Sequence, residues 1–212
     1  TASGAIDDGP LFGSTGHGIE IRSCSLWGPA CTIDLFRANY LPAVDSGKLR
    51  QLNLYTLTDK AEQDDHCANI YHKSLLYLVS HAFEKRMRNP LLPVGQDAKA
   101  AGEPILGMEW WLSRDRALSA RFKTPAPGSR DAESAGPLVW IKSPNLYPEG
   151  SCLASAARAH GSFDDDVCTV KATLARILGR TVLPAQTEVC FERTDQSNRD
   201  RREQIMRTTR SN

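Results

Sequence analysis

"KLRQLNLYTLTDKAEQDD" (residues 48–65) decides how this chain is read. Its first part, with Leu49, Leu52 and Leu54 set against Gln51 and Asn53, alternates imperfectly and predicts a strand over 48–59. Carboxylates follow at once: Asp59, Asp64 and Asp65. "HCANIYHKSLLYLVSHAFEKRM" (66–87) then predicts a helix, with Tyr71, Leu75, Leu78, Val79, Ala82 and Phe83 on one apolar face. Asp64 or Asp65 suits its N-cap, and Lys85, Arg86 and Arg88 suit its C-terminal dipole. A strand that runs into acids and then a helix is one unit of a parallel α/β layer.

The same grammar recurs on both sides. Upstream, "IEIRSCSLWG" (19–28) predicts a strand stopped by Gly-Pro, and "CTIDLFRANYLPAV" (31–44) a helix. Downstream come a Pro/Gly/Ala-rich loop (88–104), a less regular helix (105–122), a second loop (123–137) and a compact strand "LVWIKSP" (138–144). A coil leads to His160, and a last helix at 166–178 presents Val167, Val170, Leu174, Ile177 and Leu178 before Gly179 stops it. The expected fold is α/β: a mostly parallel sheet flanked by helices. Three strands make a thin, incomplete sheet. Residues 1–180 form the expected domain. From 181 the periodicity fades and charge rises, which predicts a solvated tail over 181–212 with a short helix near 198–207.

Composition excludes more than it selects. Lys plus Arg is 26 against 25 Asp plus Glu, a net charge of +1, so no bulk charge points to nucleic acid. No apolar run approaches the roughly 18 residues of a membrane span. "TASGAIDDG" has neither the basic nor the apolar region of a signal peptide, and no initiator Met, which leaves open a processed chain or a fragment. The six cysteines are scattered without C-x-x-C pairs, so buried, reduced thiols and a cytoplasmic location are expected, with no metal and no cofactor. "GSTGHG" (13–18) lacks the G-K-[ST] ending of a phosphate loop.

In an open parallel sheet the chemistry collects at the C-terminal ends of the strands. After the second strand come Asp59, Asp64 and Asp65; after the third comes "RAHGSFDDD" with His160. Asp164, Asp165 and Asp166 are read as capping and dipole complement for the last helix. His17, His66, His72 and His81 are weaker candidates.

"SLWGPACT", "LTDKAEQDD" leading into "YHKSLLYLVSHAFE", and "HGSFDDD" together resemble the C-terminal half of an α/β-hydrolase, most of all bacterial members of uncertain substrate. The resemblance spans roughly 19–180. It implies that the strands are the last three of that sheet, that His160 is the catalytic histidine and that an aspartate within 59–65 is the acid. Asp65 is favoured, then Asp64, then Asp59. It also implies a lid within 88–137, where Trp110 and Trp111 cover an edge or line an access channel. The substrate would be a small molecule or an acyl compound.

The nucleophile is the gap. A G-x-S-x-G elbow needs a strand before it and a helix after it. "FGSTG" (12–16) offers Ser14 with Phe12 in place of the first Gly, and a strand follows. Ser3 in "TASGAI" would serve only with a supporting strand upstream. The elbow is therefore expected before Thr1. Two alternatives stay open: a Cys-His hydrolase using Cys31, and a non-catalytic, hydrolase-like protein that binds a partner through an exposed sheet edge or the charged tail.

Overall fold

The computed structural model describes residues 19–65, 74–82, 102–124, 136–184 and 186–189. Three strands, β1 (Cys24–Trp27), β2 (Leu52–Leu57) and β3 (Leu138–Ser143), form one sheet in the order β1-β2-β3. Both pairings are parallel, with Leu26 beside Leu54 and Leu54 beside Trp140. The α/β class read from the alternation of elements is the class observed.

Period-2 alternation sends the strand residues to two cores. Leu52, Leu54, Leu138 and Trp140 face one way, packing with Ile33 and Phe36 of α1 (Ile33–Asn39), Val44 of α2 (Leu41–Asp45) and Leu112. Tyr55, Leu57, Val139 and Ile141 face the other way, against Ala175 of α7 (Val167–Ile177) and the loop residues Cys152, Leu153 and Phe163. β2 is buried along its whole length, as the central strand of a parallel layer must be. All four residues of β1 are partly exposed, and among the described residues β1 pairs with β2 alone.

Several boundaries shift for local reasons. The first predicted strand shortens to 24–27, leaving Ile21 in an isolated bridge to Leu49. The helix expected over 31–44 divides at Tyr40, because Pro42 starts a new turn in α2. The strand expected to reach Asp59 ends at Leu57; Thr58 caps α3 (Asp59–Asp64) by accepting from the Ala61 N–H at 3.3 Å. The helix expected over 105–122 becomes α5 (Glu109–Arg114) and α6 (Arg116–Ser119), split where the Asp115 side chain accepts from the Leu118 N–H at 3.1 Å.

Two helices bury a face shifted from the one expected, in which Val79 and Leu174 still pack partly buried against the cores. In α4 (Leu75–Ala82) the buried residues are Leu76, Tyr77 and Ser80, whereas Leu75 and Leu78 are 40% and 45% exposed. Leu76 and Tyr77 pack on Ile105 and Met108, and Ser80 donates to the Glu103 carbonyl at 2.7 Å. Tyr71 and Phe83 lie outside the described residues. In α7 the buried residues are Thr169, Ala172, Ala175 and Arg176, while Val167, Ile177 and Leu178 are exposed. Small alanines allow close approach to the sheet, and the polar members find partners: Thr169 with Ser155 (2.6 Å), Thr173 with Trp27 (3.2 Å).

In residues 102–124, within the segment read as a lid, Ile105, Leu106, Met108, Leu112, Leu118 and Phe122 are buried. Trp111 packs against the core and its indole donates to Ser80 at 3.3 Å; the Arg114 guanidinium stacks on Trp110. Part of the segment expected as tail is described. Val182 bridges Ser151, and Leu183 is 5% exposed in the core beside α7. The helix expected near 198–207 lies outside the described residues.

Candidate functional site

The C-terminal ends of the strands gather the acids and the histidine. α3 starts one residue after β2 and ends at Asp65, whose backbone returns to an extended conformation (φ −75°, ψ 138°) while its N–H still donates to the Ala61 carbonyl at 2.9 Å. This exit turns the Asp65 carboxylate away from the helix. Oδ2 accepts from the backbone N–H of His160 at 2.9 Å, across 95 residues of sequence. A hydrogen bond to a carboxylate is among the stronger ones, about 1.5–3 kcal/mol.

His160 owes its position to the loop after β3. Asn145 orders the first part, donating to the carbonyls of Lys142 and Leu153 at 2.9 Å each and accepting from the Ser155 N–H at 3.3 Å. Ser143 at the end of β3 donates to the Ala157 carbonyl at 2.7 Å. A single 3₁₀ turn (His160–Ser162) follows, in which Ser162 Oγ accepts from the Ala159 N–H at 3.1 Å, and Phe163 buries itself at 2% exposure. Asp166 then caps α7, accepting from the Thr169 N–H at 2.9 Å and from the Ala156 N–H at 2.8 Å. Capping thus falls to Asp166, the last of the three aspartates.

The imidazole crosses the top of the sheet to β1. Gly28, the residue after that strand, has φ +47°, and a Cβ there would lie 2.7 Å from His160 Cε1 and 2.8 Å from Nδ1. Only glycine combines that backbone conformation with room for the ring. Gly28 is tied to the sheet through its N–H to the Tyr55 carbonyl at 2.9 Å. Gly107 passes just beneath, where a Cβ would meet the Pro29 carbonyl oxygen at 2.5 Å.

The other aspartates have different surroundings. Asp64 is exposed and pairs with Lys60 at 2.9 Å. Asp59 accepts from the Tyr77 hydroxyl at 3.0 Å and from Gln63 at 2.6 Å, and its N–H donates to Glu109 at 2.7 Å. Glu109 also pairs with Lys142 at 2.6 Å, bridging the ends of β2 and β3. Of the three candidates, Asp65 is the one that meets His160.

Glu62 is a member of this cluster that the sequence reading passed over. It is 1% exposed and accepts from the Ser74 hydroxyl, while its carbonyl accepts from the Ser74 N–H at 3.1 Å. Burial first, then the charges of Asp65 and Asp59, push its carboxyl up to about 7. The signal was available: Ala61 and Glu62 share the inner side of α3, four and three residues before Asp65.

Cys31 packs against the apolar core, and burial raises its thiol, the opposite of what an attacking thiolate requires. Cys24, Cys31, Cys152 and Cys168 are free thiols; Cys67 and Cys190 lie outside the described residues. Ser3, Ser14, His17, His66 and His72 also lie outside them. Among the described residues no group of three His, Cys, Asp or Glu is arranged to hold a metal ion, and no helix is long and apolar enough to cross a membrane.

Comparison with protein-family models, with curated proteins and with solved structures returns no match. The fold and the site geometry therefore carry the functional reading.

Proposed function

We propose that this chain carries the acid and the histidine of an α/β-hydrolase-type serine hydrolase acting on an ester, thioester or amide. One observation carries the reading: at the C-terminal ends of adjacent parallel strands the Asp65 carboxylate accepts from the backbone N–H of His160 at 2.9 Å, which sets the acid beside the histidine loop. The His160 ring lies over Gly28, at the end of β1, which among the described residues pairs with β2 alone. A serine delivered from beside β1, either Ser3 or one on chain preceding Thr1, would meet the imidazole there.

In this mechanism His160 takes the serine proton as the hydroxyl attacks the substrate carbonyl, then passes it to the departing alcohol, thiol or amine. Water, activated by the same imidazole, hydrolyses the acyl-enzyme and restores the serine. Asp65 fixes the histidine loop and favours the imidazolium that forms between the steps.

The test is labelling by a fluorophosphonate probe of this chain and of a version extended at its N-terminus. The expected result is labelling of the extended form that collapses in His160→Ala. Undiminished labelling of His160→Ala would remove His160 from the mechanism.

The partly exposed β1 supports a second reading, a hydrolase-like scaffold that binds a partner by strand addition. In that case the extended form would remain unlabelled, while changing β1 residues such as Ser25→Pro would abolish partner binding.

A further inference from the structure

The opposite end of the sheet holds a basic hollow that the hydrolase reading does not use. Arg22 leads into β1, Arg50 and Gln51 into β2, and Pro137 into β3; with Arg176 and Gly179 from the end of α7 they border a cavity of about 340 Å³. β2 spans six residues, which sets the hollow roughly 20 Å from Asp65 and His160.

Arg176 gives the hollow its character. It is 6% exposed, yet its partners are neutral. Nε donates to Asn53 Oδ1 at 2.8 Å. With the Gln51 amide turned to suit its neighbours, its oxygen accepts from Nη2 and from Nε (2.7 Å), and its nitrogen donates to the Arg176 carbonyl at 3.2 Å. Asn53 is anchored in turn by donating to Ser25 at 3.2 Å and to Ser23 at 3.4 Å. Among the described residues no carboxylate forms an ion pair with Arg176. A guanidinium stripped of water and held by amides alone is costly unless an anion completes it.

Two more guanidiniums border the same space. Arg22 lies against the end of α7, with Nη2 3.8 Å from where a Gly179 Cβ would stand. Arg50 is exposed and pairs with the equally exposed Glu20 at 2.5 Å. The carbonyls closing α7 do not supply the missing charge, since they accept from backbone N–H groups: Leu174 from Leu178 (3.0 Å), Ala175 from Arg180 (2.8 Å) and Arg176 from Gly179 (3.1 Å).

We propose that this hollow is a binding site for a phosphate-type oxyanion, held between Arg22, Arg50 and the preformed guanidinium of Arg176. The planar fork of arginine matches phosphate oxygens in pairs, and Asn53 with Gln51 holds the buried fork in place before binding. The cavity accommodates a phosphate with some of its waters, each of which occupies about 30 Å³ in the liquid.

The test is calorimetric titration of the whole chain with inorganic phosphate and, separately, with glycerol phosphate, at constant ionic strength set by chloride. Melting temperatures are recorded in the same solutions. Saturable binding is expected, with a rise in melting temperature that follows ligand concentration. In the double variant Arg22→Ala/Arg50→Ala, binding should weaken by at least about tenfold, while the melting temperature in chloride alone stays near the parent value because both side chains are exposed. Preference for glycerol phosphate would identify a phosphomonoester as the ligand, and preference for inorganic phosphate the free ion. No binding of either beyond the chloride control, or undiminished binding in the double variant, would overturn the proposal. Neither outcome depends on the hydrolase reading.

Discussion

The imidazole of His160 rests on Gly28, so close that one added carbon would stand 2.7–2.8 Å from the ring. One strand, β2, lies between the origin of the histidine loop, after β3, and the place its ring reaches, at the end of β1. Gly28→Ala should therefore cost more than its left-handed backbone alone implies. Gly47 supplies the comparison: its φ is +73°, but a Cβ there meets nothing within 4 Å. Gly47→Ala should cost about 1 kcal/mol and Gly28→Ala about 2–4 kcal/mol, with the His160 proton resonances displaced only in the latter. Equal losses in urea unfolding, or unmoved His160 resonances, would contradict the packing.

Glu62 predicts a pH dependence of definite sign. Its folded carboxyl titrates near 7, above the ordinary 4.5, so the folded state holds a proton that the unfolded state has released. The stability tied to that proton is complete below about pH 4.5 and falls away as pH rises through about 7. The full window is worth about 3 kcal/mol. Glu62→Gln removes the titration and keeps an oxygen for Ser74. The variant should gain on the parent steadily between pH 5 and pH 8 in denaturant unfolding. A gap that does not change with pH would show that Glu62 is charged throughout.

The buried face of α4 can be checked residue by residue. Leu76 is fully buried and Leu75 is 40% exposed. Leu76→Ala should destabilise by about 2–5 kcal/mol and Leu75→Ala by less than about 1 kcal/mol. The reverse order would restore the face expected from periodicity. On α7, Ala172→Leu should cost about 1–3 kcal/mol by overpacking against the sheet, whereas Ile177→Ala on the outer side should be nearly neutral.

What the sequence disclosed followed from spacing along the chain. Alternating strand and helix signals were enough for the parallel α/β layer, whereas the order of the strands left Asp59, Asp64 and Asp65 all open as neighbours of His160. The helix faces were not legible, because periodicity marks where apolar residues recur and not which side meets the sheet. In α7 the sheet takes Ala172, Ala175 and a bonded Arg176, while Ile177 and Leu178 stay outside. The roles of Gly28 and Glu62 depend on contacts with residues further along the chain: His160 for the one, Ser74 for the other. Arg176 could not be separated from an ordinary surface arginine until Asn53 and Gln51 closed around it.

The central claim is that Asp65 and His160 act as one unit on a serine. The most direct measurement is the rate of fluorophosphonate labelling of the N-terminally extended chain as the parent, Asp65→Asn, His160→Ala and the double variant. Each single change should slow labelling on the order of 10³-fold or more, and the double variant should be no slower than His160→Ala, because Asp65 acts only through the histidine. Losses that multiply in the double variant, or a His160→Ala chain that labels at the parent rate, would contradict it.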